Sequence, residues 1–517
     1  MGIWQKIQDE KVRRSLKASD RDGLFWSVMF GFGENFIEPF AVALKATNVE
    51  MAALGSVPQF LGSLIQPFTV DLMDRLRNRK RVVILGVVLQ ALVWLPLFLL
   101  PVLMRSRAVP LLIFFFTVYF LLARFTAPAW VSWMGDIVPE NMRGEYFGHR
   151  NTIIQIATVA STFAAGALLG LFERRVEMLG FGAIFMVALV ARLISSSYLR
   201  MMEEPAYNPL PEERFSFWEF VRTLQGNTYG RFVMFHTLFR FATAFAAPFF
   251  ALYMLRDLGM SYLAFTAIIV CSTVAKVFPI QYWGRYGDRF GNMKVLAVTA
   301  LLIPVVPVLW LVSGKVIWLV FLQLLAGVVW GGYDLAAANF LFDAIAPTKR
   351  ARVFAYHDTL HSLMIFAGAM AGGFFSTRVP TLPNLSSNLL TIFLISGILR
   401  LLVAVIFLPR LKEVRPVEPV TGIDLLFAYL AVEPLENMIH GAFHGARHGV
   451  RLLRKLESIG WEQVFGEDEY STAGESTAGK KGGGPGSGSG GGSGESEAKA
   501  GPPKSPPGDA PEKPGQG

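Results

Sequence analysis

Apolar runs of about 20 residues, the length that carries a helix across hydrocarbon, follow one another along most of this 517-residue chain. Twelve can be read, at 22–45, 50–73, 82–104, 108–134, 148–172, 178–202, 229–255, 260–284, 294–313, 315–342, 353–377 and 388–410. Six lie on each side of the polar stretch 203–228. Inside hydrocarbon every backbone N–H and C=O must find its partner within the segment, so runs of this length are expected to be helices. Composition agrees: 17% of the residues are charged and 53% hydrophobic, where a soluble domain of this size carries about 25% charge. The predicted fold class is an all-α membrane protein with twelve transmembrane helices.

The two sets of six repeat one another. Asp74-Arg75 with Asn78 and Lys80 recurs as Asp288-Arg289 with Asn292 and Lys294, at an offset of 214; Pro39-Phe40 recurs as Pro248-Phe249, at 209. Asp136, Arg143 and Phe147 return as Asp343, Arg350 and Phe354, at 207, and Ile184-Phe185 with Arg192-Leu193 returns as Ile392-Phe393 with Arg400-Leu401, at 208. Four pairs in the same order, with offsets that agree within loop-length slippage, indicate a duplicated six-helix unit.

Basic residues set the expected orientation. Arg75, Arg77, Arg79, Lys80 and Arg81 crowd the loop after span two, Arg285, Arg289 and Lys294 that after span eight, and Lys349, Arg350 and Arg352 follow span ten. Lys11, Arg13, Arg14 and Lys17 precede span one. By the positive-inside rule both termini are expected in the cytoplasm, with the chain in a cell (inner) membrane. The net charge of +9 is then mostly topology, and no nucleic-acid partner is expected. The first residues are polar rather than a short apolar core, so span one is expected to serve as an uncleaved insertion signal. A single cysteine, Cys271, rules out an intramolecular disulfide and a thiolate cluster. The expected organisation is a cytoplasmic segment 1–21, bundles 22–202 and 229–410, a linker 203–228 with a short amphipathic helix, an amphipathic segment 411–462, and a Gly/Ser/Pro-rich tail 463–517 too poor in apolar residues to bury a core.

Gly284-Arg285-Tyr286-Gly287-Asp288-Arg289-Phe290-Gly291-Asn292-Met293-Lys294 fits the G-x-x-x-D-R-x-G-x-x-K loop. In pattern and in place it resembles that of the major facilitator superfamily. The first-half copy keeps Asp74, Arg75 and Lys80 but has Val70 and Arg77 at the glycine positions. Across residues 22–410 the resemblance implies two six-helix bundles that rock about a midplane site. The chain would then be a secondary transporter and not an enzyme, acting as a monomer in the lipid bilayer on a small-molecule solute. It further implies that Asp74 and Asp288 latch one face while the site opens on the other, by accepting hydrogen bonds from a neighbouring helix end. No G-x-x-x-x-G-K-[ST] loop occurs, so no ATP site and no cofactor is expected.

An ionisable residue at bilayer depth is expensive and marks a cavity or a partner. Glu34, Asn35 and Glu38 lie in span one; the two carboxylates share a helix face and cannot both ionise easily, which is the property a proton-coupling group needs. Arg124, Arg240 with His236 one turn earlier, Lys276 and Asp334 complete three acids and three bases near mid-depth. Together they predict a solute and proton pathway, with Lys276 on span eight the least central. Arg192 and Arg400 are expected to snorkel or brace the bundles. His357, Asp358 and His361 are expected at a gate or solvated helix end. Span five carries Gly166 and Gly170 without the proline of the family's antiporters. No resident metal is expected: the spacing of His440, His444 and His448 would let one neighbouring pair such as His440 and His444 share an ion, but a solvated helix face explains it equally. Proton-coupled uptake, export in exchange for protons, lipid translocation and a transport-inactive scaffold using the C-terminal segment all remain open on these residues.

Overall fold

The computed structural model describes residues 3–414, apart from 77, 104–106, 173–175, 207–215, 225–227, 278, 346–349 and 384. The tail 463–517 and nearly all of segment 411–462, His440 and His444 included, lie outside the described residues. Regular structure among the described residues is entirely helical. Span one runs Glu10–Phe32, turns through Glu34–Phe36 and continues as Ile37–Ala43. Spans two to six are Asn48–Leu76, Arg79–Leu103, Ala108–Ile137, Arg143–Phe172 and Glu177–Met201. Span seven comprises Thr228–Ala244, Phe249–Leu252 and Tyr253–Asp257. Span eight is Tyr262–Val277 and Ile280–Phe290, and span nine is Asn292–Leu302 and Val305–Leu309. Spans ten to twelve are Val316–Ala344, Arg350–Ser376 and Asn388–Phe407. Ten of these helices are long and apolar enough to cross a membrane on length and composition; spans one and two, which carry more polar residues, complete the twelve.

The expected cytoplasmic segment 1–21 is in large part a helical extension of span one. Asp9 caps it by accepting from the backbone N–H groups of Lys11 and Val12, and Leu16 and Ala18 are buried against the bundle. The linker helix forms at Phe217–Thr223, opened by a capping box between Ser216 and Glu219. Phe217 and Phe220 pack on Tyr356, while Trp218 is exposed. Large apolar side chains that face outward, such as Phe68, Leu85, Leu171 and Ile317, suit a surface bathed in lipid rather than water.

The repeated prolines mark a repeated break. A proline removes one N–H and its ring collides with the carbonyl four residues earlier, which is Asn35 for Pro39 and Ala244 for Pro248. Span one accordingly loses α-helical geometry over Gly33–Phe36 and span seven over residues 245–248. Glu34 lies on the first break, about ten residues or ~15 Å from the end of span one, half of a hydrocarbon layer of about 30 Å.

Spans one to six pack among themselves, as do seven to twelve, and the two bundles meet where span two lies along span eleven and span five along span eight. At the face opposite the linker one core crosses both bundles, joining Phe40, Met51 and Leu54 to Phe249, Phe265 and Ala369. Arg256 adds a hydrogen bond to Asn48 there, at 2.9 Å. Toward the linker face the buried core divides in two, one part around Trp133, Met134 and Tyr146 and the other around Phe232, Tyr333 and Phe340. Among the described residues the bundles thus share one buried core at the far face and have separate buried cores toward the linker.

Arg79 shows how a bundle is tied at the linker face. Its side chain is fully buried, pairs with Asp136 at 2.6 Å, and donates to the carbonyl and hydroxyl oxygens of Ser132, both at 3.0 Å. In the second bundle Asn292 Nδ2 donates to Asp343 Oδ2 at 3.1 Å. Arg79→Met should lower stability by about 2–3 kcal/mol, less than the roughly 3–5 typical of a fully buried pair, because Asp136 is half exposed. A thermal unfolding midpoint well below that of Arg81→Met, at an exposed neighbour, is the expected readout.

Candidate functional site

The break in span one delivers the polar residues of that helix to a cavity. Glu34, Asn35 and Glu38 line about 250 Å³ of space together with Gly55, Gln59 and Phe120. The Tyr119 hydroxyl donates to Glu34 Oε2 at 2.9 Å, and Asn35 Nδ2 donates to Thr162 Oγ1 at 2.8 Å. Among the described residues no cation lies within ion-pair distance of Glu34 or Glu38. A second cavity of about 360 Å³ continues from the first, sharing Phe30, Asn35 and Ile269, and reaches Lys276 past Thr158, Thr162 and Thr273. The two adjoin, with carboxylates at one end and an ammonium at the other, walled by polar and apolar side chains of spans one, two, four, five and eight.

The remaining mid-depth charges are engaged with one another. Arg240 donates to Asp334 Oδ1 at 2.6 Å and Lys276 to Asp334 Oδ2 at 3.0 Å, so spans seven, eight and ten share one carboxylate between two cations. Arg240 also lies over the rings of Trp330 and Tyr333, at 5.0 and 5.6 Å, a favourable place for a guanidinium. Arg124 crosses from span four to Asp358 on span eleven at 3.2 Å. Gly62 makes room for it: a Cβ at residue 62 would lie 2.9 Å from Arg124 Cγ. The cations thus pair with Asp334 and Asp358 rather than with the span-one carboxylates, while Arg124 and Arg192 stay within electrostatic reach of Glu34.

His236 belongs to an arrangement that sequence spacing does not disclose. Its ring stacks on His357 and His361 with centroids 5.2 and 5.1 Å away, and its Nδ1 is 3.2 Å from His357 Nε2. His357 and His361 are one turn apart on span eleven, but span seven must pack against that face before the third ring arrives. The rings are stacked in parallel rather than converged on a point. Among the described residues no group of three His, Cys, Asp or Glu side chains has metal-holding geometry.

At the linker face, Asp288 and Arg289 are exposed on the last turn of span eight. Gly291 ends that helix at φ 101°, in the left-handed region, with Glu413 packed where its Cβ would stand. Gly284 has only Leu335 near, at 3.9 Å. Lys294 follows on the first turn of span nine. In the first-half copy Lys80 Nζ donates to the Met202 carbonyl at 2.5 Å and Arg75 is exposed on the final turn of span two; Asp74 lies on that same turn, its side chain outside the described residues. Gly291→Ala should cost about 1–2 kcal/mol from the left-handed backbone alone, visible as a lower thermal midpoint. Gly284→Ala, with open space around it, should change the midpoint little.

Arg192 and Arg400, the repeated arginines, are both buried. Arg192 donates to Gln90 Oε1 at 2.8 Å and Ser195 Oγ at 3.0 Å, and Arg400 to Ser396 Oγ at 3.1 Å. Asp22 and Arg150 join the first of these clusters at 3.3 Å from each other. Nothing in the sequence singles out Asp22 or Arg150; only the packing of spans one, five and six shows them buried.

The profile of the Major Facilitator Superfamily matches residues 24–235 and again 232–435, once for each half. Among solved structures the chain is similar to the nucleoside transporter NupG, with 13% identity, TM-score 0.58, and 78% of this chain and 100% of that one covered. It is also similar to a bacterial homologue of the human lysosomal transporter Spinster in an inward-facing conformation (13%, 0.58, 79% and 100%) and to a D-xylose–proton symporter (12%, 0.59, 78% and 99%). No curated protein matches the sequence. Likenesses at this level of identity show the fold, and the family match covers both bundles: the chain belongs to the Major Facilitator Superfamily and is a multi-pass membrane transporter, not an enzyme.

Proposed function

We propose that the chain is a proton-coupled secondary transporter of a small solute, working by alternating access. Glu34 and Glu38 would carry the proton, and the solute would bind between them and Lys276. The observation that carries this reading is the pair of span-one carboxylates on the wall of a mid-depth cavity with no cation beside them among the described residues. Charge left unpaired at that depth is costly, so a proton or a cationic group of the solute is the natural partner. The excess of one positive charge in the Arg240, Lys276 and Asp334 cluster suits an anionic group at the other end. The D-xylose–proton symporter among the similar structures is consistent with proton coupling on this fold.

The basic residues of the linker-face loops support placing that face and both termini in the cytoplasm of a cell (inner) membrane, the transporter acting there as a monomer. The separate buried cores toward that face among the described residues support an inward-facing state. A thermal-shift screen of the purified protein against metabolite classes at two pH values tests the reading. A solute that stabilises wild type in a pH-dependent way, with the dependence lost in Glu34→Gln and Glu38→Gln, supports it. Stabilisation by the same solute with identical pH dependence in both variants overturns it.

A further inference from the structure

Of the mid-depth acids Glu34, Glu38, Asp334 and Asp358, only Glu38 is answered by no other side chain among the described residues. Glu34, one turn earlier, accepts from the Tyr119 hydroxyl and lies within electrostatic reach of Arg124 and Arg192. Asp334 pairs with Arg240 and Lys276, and Asp358 with Arg124. Glu38 has no hydrogen-bond donor and no cation within ion-pair distance among the described residues, and no charged side chain acts on it from further away. It stands on the first turn of Ile37–Ala43, just beyond the break in span one.

Across from it span two carries Gly55. A Cβ at residue 55 would lie 3.9 Å from Glu38 Oε1, so the glycine leaves the space before the carboxylate to the cavity. The same space, about 250 Å³, is walled by Phe30, Phe116, Phe120 and Phe265, with Asn35 and Gln59 as its neutral polar groups. Phe116 and Phe120 meet edge to face at 5.2 Å. A carboxylate at this depth without a partner is costly until a positive charge joins it, and the walls decide which kind. A proton needs no ring-lined space of this size. A hard metal ion takes several oxygen ligands, where four rings stand here. An ammonium group on an apolar body fits both parts of the wall: its N–H groups donate to a carboxylate in short, strong hydrogen bonds, and the faces of aromatic rings attract a cation.

We infer that the solute is an organic ammonium, a primary amine on an aromatic body, whose charged nitrogen seats on Glu38 with its ring among Phe30, Phe116, Phe120 and Phe265. This rests on the midplane cavity being the transport site, and it adds the class of solute and the carboxylate that holds it. Glu34, already bonded to Tyr119, is then left for the proton. Charge and ring are both required, because one carboxylate is set in a wall that is otherwise largely apolar.

The test is equilibrium dialysis of the full-length protein in lipid nanodiscs at about pH 8, where an alkylamine keeps its proton. The probe is 2-phenylethylammonium, with 2-phenylethanol as the ring without charge and methylammonium as the charge without the ring. Wild type should bind the probe saturably and at least about tenfold more tightly than either control, the worth of one charge-assisted hydrogen bond. Glu38→Gln should weaken the probe by a similar factor, to the level of 2-phenylethanol; such a loss still leaves binding at higher solute concentration. Gly55→Leu, which fills the space before Glu38 while keeping both carboxylates, should weaken it as well. Glu145→Gln, at an exposed acid outside the cavity, should bind as wild type does. Absence of saturable probe binding, equal binding of 2-phenylethanol, or an affinity unchanged in Glu38→Gln or Gly55→Leu would each overturn the amine assignment. The transport reading survives that failure if another solute stabilises the wild type with a pH dependence that the glutamine variants lose.

Discussion

Proteoliposomes carrying the Glu34→Gln, Glu38→Gln double variant should equilibrate solute across the membrane yet fail to accumulate it under an imposed pH gradient. Each pH unit of gradient is worth about 1.4 kcal/mol per proton, so a transporter that carries one proton per solute can hold about a tenfold concentration ratio. Glutamine keeps the shape and one hydrogen-bond acceptor of the carboxylic acid, so the cavity and the Tyr119 hydroxyl that donates to Glu34 still have a partner. What it removes is the exchangeable proton. Downhill exchange should survive and the accumulation ratio should fall to about one, the equilibrium value without coupling. Accumulation that stays near tenfold in the double variant would remove both residues from the coupling path. The single variants divide the work: Glu34 is anchored by a hydroxyl and within electrostatic reach of Arg124 and Arg192, whereas no hydrogen-bond donor among the described residues is found for Glu38. The variant that alone abolishes accumulation identifies the carrier.

The spans and their pairing into two bundles could be read from the chain because a membrane punishes every exception. Span ends observed in the structure fall close to the apolar runs, and the largest departure, the start of span one at Glu10, comes from a polar helix that hydropathy cannot see. The repeated prolines were visible as a repeat, and their breaks follow from ring geometry. The charges were harder. Spacing along one helix places Glu34 beside Glu38, but which cation faces which acid depends on how separate spans pack. Arg124 could have faced Glu34; packing of span four against span eleven hands it Asp358 instead. Arg79 sits in a basic loop that reads as topology, Asp22 and Arg150 carry no signal of their own near the span ends, and only tertiary burial sets these three apart from exposed neighbours such as Arg81.

Asp358→Asn should shift the protein away from the conformation described here, and the charge-swapped pair Arg124→Asp, Asp358→Arg should restore it. Arg124 to Asp358, at 3.2 Å, is the ion pair that joins the two bundles among the described residues. Its members are each about one-third exposed, so it is worth less than a buried pair; between the roughly 0–1 kcal/mol of a surface pair and the roughly 3–5 of a buried one, about 1–2 is a fair expectation. A rocking transporter balances two conformations of similar energy, so a contact made in only one of them biases the equilibrium by its full value, here about five- to thirtyfold. Spin labels at Val49→Cys and Ile317→Cys, exposed positions of the two bundles at the face opposite the linker, with Cys271→Ser, would read the separation directly. In the parent the short distance should dominate, because the shared core closes that face. In Asp358→Asn a longer distance should gain population, and in the swapped pair the short one should return. A distribution unmoved by Asp358→Asn would mean that the shared apolar core alone holds the face closed, and that the ion pair is a passenger on that closure.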